Sequence, residues 1–475
     1  MKTADHLLTL LREGRAMTLG QQLRLAWLLS IPSILAQFSL IAMQYVDASM
    51  VGQLGAEAAA SIGLVSTTTW LFGGICSSAA AGFSVQVAHR IGASDFGAAR
   101  QILRQALTAI TAFGLLLCII GVSISGRLPV WLGGDTSICS TSSAYFLIYA
   151  LALPILQVKS LAGGMLRCSG DMRTPSLLNI LMCVLDVVFN CLLIFPTRHV
   201  SLLTLSFVLP GAGLGVRGAA LGTMAAITVT MVLMLWYLFK RSPLGGRLPL
   251  KVFMPHRSTI RRAFTIAGPM ALEHAAICMA QIMTTVIVAP LGVVAIAANS
   301  FAITAESLCY MPGYGISEAA TTLVGQSVGA GRKQLAWRFA NITVVSGMVV
   351  MGLMGALLWL VAPQIIAVMT PVAEIRTLGA AVLRIEAWAE PMFAASIVAY
   401  GVFVGAGKTT VPAMMNFGSI WGVRLTLAAV LAPTLGLRGV WIAMAAELCF
   451  RGVIFLIRLW RKRWLTSLRY DIQLR

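Results

Sequence analysis

The first residue of this sequence that could do chemistry is a carboxylate in a long apolar run. Asp47 ends the series Ser33, Gln37, Gln44, Asp47, whose spacings of 4, 7 and 3 put all four on one helix face. Leu40 breaks that stripe. A charge inside a membrane span costs roughly 2.5–3.5 kcal/mol on insertion scales, so it marks ion handling or a wet cavity. A carboxyl there could load and release a proton, or hold sodium together with neighbouring carbonyl and amide oxygens. A second stripe, Asn179, Cys183, Asp186, Asn190, repeats every 4, 3 and 4 residues, and a third, His274, Cys278, Gln281, Thr285, has the same spacing with Glu273 beside it. Glu306, Glu386 and Glu390 are further acids in apolar surroundings. The expected ion-coupling residues are Asp47, Asp186, Asn190, Glu273 and Glu390, with sodium, if it is the ion, at Asp47 or Glu273. The expected substrate contacts are Gln37, Gln44, Tyr45, His274, Gln281 and Glu306. For Tyr45, Trp70, Tyr149, Tyr310 and Trp388 the simplest role is packing or interfacial anchoring, set against an aromatic face for a cation. Glu374 and Glu447 are expected near helix ends, reaching water.

The stretch "VFVGAGKTTVP", Val402 to Pro412, imitates a phosphate-binding loop. Such a loop needs a glycine five residues before the Gly-Lys-Thr, where Val402 stands, and a long uninterrupted helix after it. Pro412 falls in the first turn of that helix, so ATP is not expected. No HExxH occurs, and the single G-x-S-x-G, Gly325 to Gly329, lacks the strand before it that a nucleophile turn needs, so a membrane-embedded enzyme lacks a catalytic constellation.

These residues need elements to hold them, and composition says which. Of 475 residues 58% are hydrophobic and 11% charged, less than half the usual charge of a soluble domain. Mean hydropathy is +0.87. Apolar runs long enough to cross a bilayer recur near 26–51, 59–85, 101–124, 138–160, 175–196, 216–239, 263–290, 293–318, 336–361, 376–404, 412–434 and 438–458. The net charge of +19 is distributed by side. With the N-terminus inside, 28 of the 35 Lys and Arg fall on that side, taking Lys159 with the connection after span 4 and Arg451 with the C-terminal end. This bias sets topology rather than nucleic-acid binding. Both termini are then cytoplasmic, in a bacterial inner or plasma membrane. No removable signal peptide is evident, and the nine cysteines, with no C-x-x-C pair, read as packing rather than metal ligands.

The sequence also repeats. At an offset of 237 residues Pro32 meets Pro269, Gly55 meets Gly292, Gly92 meets Gly329, Pro154 meets Pro391, Gly170 meets Gly407, and Asn179 meets Asn416. Later, Arg217-Gly218 meets Arg438-Gly439 at 221, so the first copy carries a 16-residue insertion around "TRHVSLLTLSFVLPGAG". Six spans per copy leave both copies with the same orientation, related by a pseudo-two-fold along the membrane normal, with a substrate site between them. The expected fold is all-α: a segment 1–25, a six-helix lobe 26–239, a basic linker 240–262, a second lobe 263–458 and a basic tail 459–475. "GVFVGAGKTTVPAMMN" is the second copy of "GMLRCSGDMRTPSLLN", a short connection in which glycine allows a tight turn and proline starts the next helix.

These features together resemble the multidrug and toxic compound extrusion (MATE) family. "IPSILAQFSLIAMQYVDASMVGQLGAEAAA" is similar to its first helix, "VAHRIGASDFGAAR" and "LVGQSVGAGRKQLA" to its paired connections, "LRCSGDMRTP" to its turn after the fourth helix (with Cys168 where Gly is usual), and "GVRGAALGT" and "GLRGVWIAM" to the sixth helix of each half. The resemblance implies twelve helices in two lobes and export of organic cations or amphipathic compounds against proton or sodium entry, without cofactor or ATP, by a monomer. It places Asp47 at the family's first-helix acid. Asp186 then Asn190 departs from the usual order, Glu273 lies about a turn early, and Phe393 or Ala394 stands where sodium-coupled members carry an acid. Proton coupling is therefore favoured. The main alternative is a flippase for lipid-linked sugars on the same scaffold. An ATP-driven pump would need a nucleotide domain that the linker is too short to hold.

Overall fold

The computed structural model describes residues 2–202, 205–246 and 253–466. Among these residues ten helices are long and apolar enough to cross a membrane, and counting each of two bent helix pairs as one span gives twelve. In chain order spans 1–3 are Leu19–Gly52, Ala56–Gly92 and Phe96–Ser125; span 4 is Thr136–Leu151 plus Leu153–Cys168; spans 5 and 6 are Arg173–Leu193 and Gly215–Lys240. Spans 7–9 are Arg257–Val288, Val293–Gly329 and Lys333–Met369; span 10 is Ala373–Ala387 plus Glu390–Gly405. Span 11 is Thr410–Ser419, a π-helical turn Ile420–Leu425, and Thr426–Leu435; span 12 is Leu437–Trp460. The helices outrun the apolar stretches that announce them. Span 1 starts at Leu19 because Thr18 and Gln21 form a capping box, each side chain bonding the other's backbone N–H at 3.3 and 3.0 Å.

Repeat positions keep their structural roles. Spans 4 and 10 bend by 47° and 57° just before Pro154 and Pro391, where proline removes a backbone donor and its ring crowds the preceding turn. The connections after them share one turn: Gly170 and Gly407 adopt φ of +96° and +72°, a region that favours glycine. The next residue's N–H then bonds back to Leu166 (3.1 Å) and Phe403 (2.9 Å). In the second copy Thr409 Oγ1 donates to the Ile266 carbonyl at 2.8 Å, so the would-be phosphate loop is a packed interhelical turn. The 16-residue insertion is the one departure from all-helical structure among the described residues. It forms an antiparallel hairpin, β1 Pro196–Leu202 and β2 Leu205–Ala212. Its β-branched and aromatic run between proline and glycine favours strand.

The lobes meet along two seams that the pseudo-two-fold exchanges, span 1 with span 8 and span 2 with span 7. Glycines make the close approach possible. A Cβ on Gly315 would lie 2.7 Å from Ile34 N, and one on Gly82 2.5 Å from the Ala263 carbonyl. At the face carrying the basic connections the two copies interlock reciprocally. Gly92 lies under the Gln326 carbonyl, and its repeat mate Gly329 under the His89 carbonyl, both too close for any side chain. Gln326 Nε2 donates to the Cys168 carbonyl and His89 Nε2 bonds the Gly405 carbonyl, each at 2.8 Å. His89 and Gln326 are themselves repeat mates, as are Cys168 and Gly405.

An amphipathic helix, Lys2–Arg12, lies over this seam and buries Leu7, Leu8, Leu10 and Leu11 against residues of both copies, among them Met172, Leu323 and Phe339. Arg12 donates to Gln326 Oε1 (3.1 Å) and the Ser169 carbonyl (2.9 Å), and Arg332 donates to the carbonyls of Leu10 and Leu11. Burial pulls the Arg12 guanidinium down to about 10 while Asp5 opposes the shift, so it remains charged at neutral pH.

Candidate functional site

Three polar centres lie within the spans. The first is in the N-terminal copy. Spans 1 and 5 face each other so that the Asn190 amide nitrogen donates to Asp47 Oδ1 at 2.9 Å and to Asp186 Oδ2 at 3.1 Å. Asp186 and Asn190 are one helical turn apart, fully buried, while Asp47 keeps partial access to solvent. Asp186 Oδ1 and Asn190 Oδ1 are buried without a hydrogen-bond partner among the described residues. Gly222 of span 6 makes room for Asn190, since a Cβ there would collide with the amide oxygen. Asp47, Asp186 and Asn190, expected from separate stripes, thus form one unit. Two carboxyls sharing a single neutral donor suit the holding of one proton between them.

The second centre surrounds Glu273 of span 7. Tyr400 Oη donates to Glu273 Oε2 and Asn416 Nδ2 to Glu273 Oε1, so both oxygens are engaged. Asn416 is the repeat mate of Asn179, whose amide oxygen is buried and unpartnered in the other copy.

The third centre departs furthest from the repeat. Glu306, Glu386 and Glu390 gather around Cys309, all buried. All four carboxyl oxygens of Glu386 and Glu390, which flank the break in span 10, lack partners among the described residues. In the N-terminal copy the positions matching Glu306 and Glu386 are Thr69 and Tyr149, and there Tyr149 Oη simply donates to the Thr69 carbonyl at 2.8 Å. Next to the acids lies a buried ion network. Arg424 donates twice to Glu447 Oε2 (3.0 and 2.7 Å), Arg451 approaches Oε1 at 3.1 Å, and Ser419 donates to Oε1 at 2.6 Å.

This network corrects two expectations. Glu447 does not reach water from a helix end: it is fully buried in mid-span 12, because two arginines and a serine satisfy it there. Arg451 belongs to the span interior rather than to the basic end. Glu374 is exposed at the start of span 10, as expected. Arg424 rides on the π-helical turn of span 11, whose extra residue re-aims the side chains around it.

The expected substrate contacts are dispersed. Gln44 is exposed and Gln37 half-buried on span 1, while Tyr45 Oη donates to the Thr304 carbonyl of span 8 at 2.8 Å. His274 packs against Gly74 and the edge of Trp70 at the span 2–span 7 seam, and Gln281 is exposed two turns further along span 7. Tyr310 stacks edge-on with Tyr314 and Phe393, one turn from Glu306. Trp388 is 76% exposed at the bend of span 10, away from the acids' buried cluster. The sequence reading missed Tyr400, Gly222 and the Glu447 network. Repeat arithmetic alone could have found the asymmetry at Thr69/Glu306 and Tyr149/Glu386. No group of three or more His, Cys, Asp or Glu side chains among the described residues is arranged to hold a metal ion.

Comparison with known proteins agrees with this architecture. The chain is 26% identical over 423 residues to a probable multidrug resistance protein NorM of Thermotoga maritima, covering 88% of each chain. It is 24% identical over 446 residues to that of Agrobacterium fabrum, covering 90% of this chain and 92% of the relative. Among solved structures it superposes on a MATE in the straight conformation with a TM-score of 0.86 at 21% identity, over 97% and 98% of the two chains. A MOP superfamily transporter from Pyrococcus furiosus, described as having a binding pocket of reversed polarity, gives 0.85 at 20%, over 96% and 100%. The MatE family model matches twice, at residues 32–192 and 269–430, and the two matches begin 237 residues apart, the same offset that relates the repeats. The chain therefore belongs to the MatE family, the multidrug and toxic compound extrusion transporters.

Proposed function

We propose that the protein is a secondary antiporter that exports cationic or amphipathic small molecules in exchange for protons, the two lobes rocking about their seams. The observation that carries this reading is the Asp47–Asn190–Asp186 bridge, a pair of acids of which Asp47 keeps partial access to solvent. A proton can reside on the pair, and a cationic substrate competes with it for the same charge. Sodium fits less well. A hard cation needs about six or more acceptor oxygens, and the side chains of the first centre leave few beyond Asp186 Oδ1, Asn190 Oδ1 and the second oxygen of Asp47. At Glu273 both oxygens are already taken by donors. Glu390, with Glu306 and Glu386, offers a second place for protons in the other lobe. The basic face, closed here and covered by the N-terminal helix, is assigned to the cytoplasm of a bacterial inner membrane. Both seams lie within one chain, so a monomer suffices.

The test uses purified protein in liposomes. A proton gradient and a sodium gradient are imposed separately, and efflux of a fluorescent organic cation is followed for wild type and Asp47→Asn. Efflux driven by the proton gradient and lost in Asp47→Asn is expected. Efflux that survives the substitution moves coupling to the second lobe. A response to neither gradient defeats ion-coupled export of that dye and favours a flippase for amphipathic cargo.

A further inference from the structure

Lys159 is a charge within the spans that none of these centres uses. It lies in the second segment of span 4, Leu153–Cys168, nine residues before that helix ends, or about 13 Å along the axis. A lysine side chain spans about 6 Å, too short to bring the ammonium to the basic face. Its tally with the basic connections is therefore corrected: it is an interior cation. It has no hydrogen bond or ion pair among the described residues. Its charged neighbours are Arg167 on its own span and Glu318 on span 8 of the other lobe, and the Cys183 thiol of span 5 is also close. Glu318 is already paired with Arg167 at 3.8 Å. Two cations therefore face one carboxylate, leaving a positive charge uncompensated. Lys159 is half-buried although deep in the bundle and beside a residue of the opposite lobe, so it borders the interlobe space rather than lipid. Its repeat mate is Ser396, which bonds only to its own helix.

The neighbouring thiol fixes where this cation stands relative to the acids. Cys183 is three residues before Asp186 on span 5, about 4.5 Å along the helix. A cation and an acid pair thus lie on the same flank of the N-terminal lobe, with no hydrogen bond or ion pair between them among the described residues.

We propose that Lys159 is the subsite for an anionic group of the transported compound, so that zwitterions are held with their ammonium at Asp47 and Asp186 and their carboxylate at Lys159. This rests on the export reading above and specifies its substrate class. An isolated ammonium bordering a wet cavity gains most from a ligand carboxylate, and a plain cation gains nothing from it.

The experiment measures binding of a rhodamine dye, as free acid and as methyl ester, by fluorescence anisotropy to purified wild type, Lys159→Met and Lys159→Arg. The two dyes differ only in the carboxylate. Lys159→Met is expected to weaken the free acid about tenfold and to change the ester less than about twofold, and Lys159→Arg to keep the acid within about threefold of wild type. Ester binding also reports that each variant is folded. Equal weakening of both dyes, or an unchanged affinity for the acid, overturns the subsite and leaves the export reading intact. Wild type that binds neither dye overturns both.

Discussion

The seam at the basic face can be opened by a single methyl group. Gly329 lies beneath the His89 carbonyl, and a Cβ there would sit far inside van der Waals distance of that oxygen. Backbone on both sides is helical, so neither can yield locally and the lobes must separate by about 1 Å to restore contact. The bonds from His89 to the Gly405 carbonyl and from Gln326 to the Cys168 carbonyl, both 2.8 Å, would then stretch beyond bonding range. Two such bonds are worth about 1 kcal/mol each, and the lost packing adds to them. A loss of about 2–3 kcal/mol from the closed state shifts its balance with the open state about 30- to 150-fold. Cys168 is the native reporter, since it is buried in this seam at 4% exposure. In a variant retaining Cys168 as its only cysteine, Gly329→Ala should raise the rate of maleimide labelling at least tenfold and slow transport. Gly92→Ala should do the same through the mirror contact with Gln326. The double variant should add little, because one opening relieves both clashes. Labelling and transport equal to wild type in Gly329→Ala would refute the idea that this interlock holds the seam.

Other centres yield shorter predictions. Gly222→Ala should push the Asn190 amide off the two aspartates and so uncouple efflux from the proton gradient as Asn190→Ala does, with substrate binding retained; tight coupling in both variants would contradict the bridge. Glu447→Gln leaves Arg424 and Arg451 buried without their carboxylate and should cost about 3–5 kcal/mol, read as a lower Tm in detergent; an unchanged Tm would mean that the arginines find other partners. Removing residues 2–12 deletes the Arg12 bonds to Gln326 and Ser169 and should speed Cys168 labelling without lowering substrate affinity; undiminished protection would show the helix to be a passive cover.

What could be read in the sequence follows from which forces act locally. Span number and the two copies were legible because membrane crossing demands long apolar runs and because prolines and glycines fix backbone geometry wherever they occur. Asp47, Asp186 and Asn190 were legible as charged or amide residues on helical stripes, but their union was not. It depends on spans 1 and 5 facing each other over Gly222, which the stripes do not specify. Glu447 was misjudged because its partners come from span 11 and from its own helix four residues on, and burial of a charged carboxylate is acceptable only when such partners exist. Lys159 was misplaced because the apolar window ends near it while the helix does not.

The asymmetry of the copies bears on how the machine divides its work. Backbone-determining residues were kept at the 237-residue offset: the prolines of the bends, the glycines of the turns, and the reciprocal seam of Gly92 and Gly329. Ionisable residues were not. Asp47 faces Thr284 across the repeat, Asp186 faces Val423, Glu273 faces Ala36, Glu306 faces Thr69, Glu386 faces Tyr149 and Lys159 faces Ser396. A rocking motion needs two lobes that open and close alike, and that requirement falls on backbone and packing. Exchange of one species for another needs sites that differ in affinity between those two states, because a ligand bound equally in both shifts nothing. Two identical lobes would place the same charge on either side of the cavity and would not separate an ion site from a substrate site. The sequence keeps the hinge symmetric and lets the chemistry diverge, which is the division that coupled transport requires.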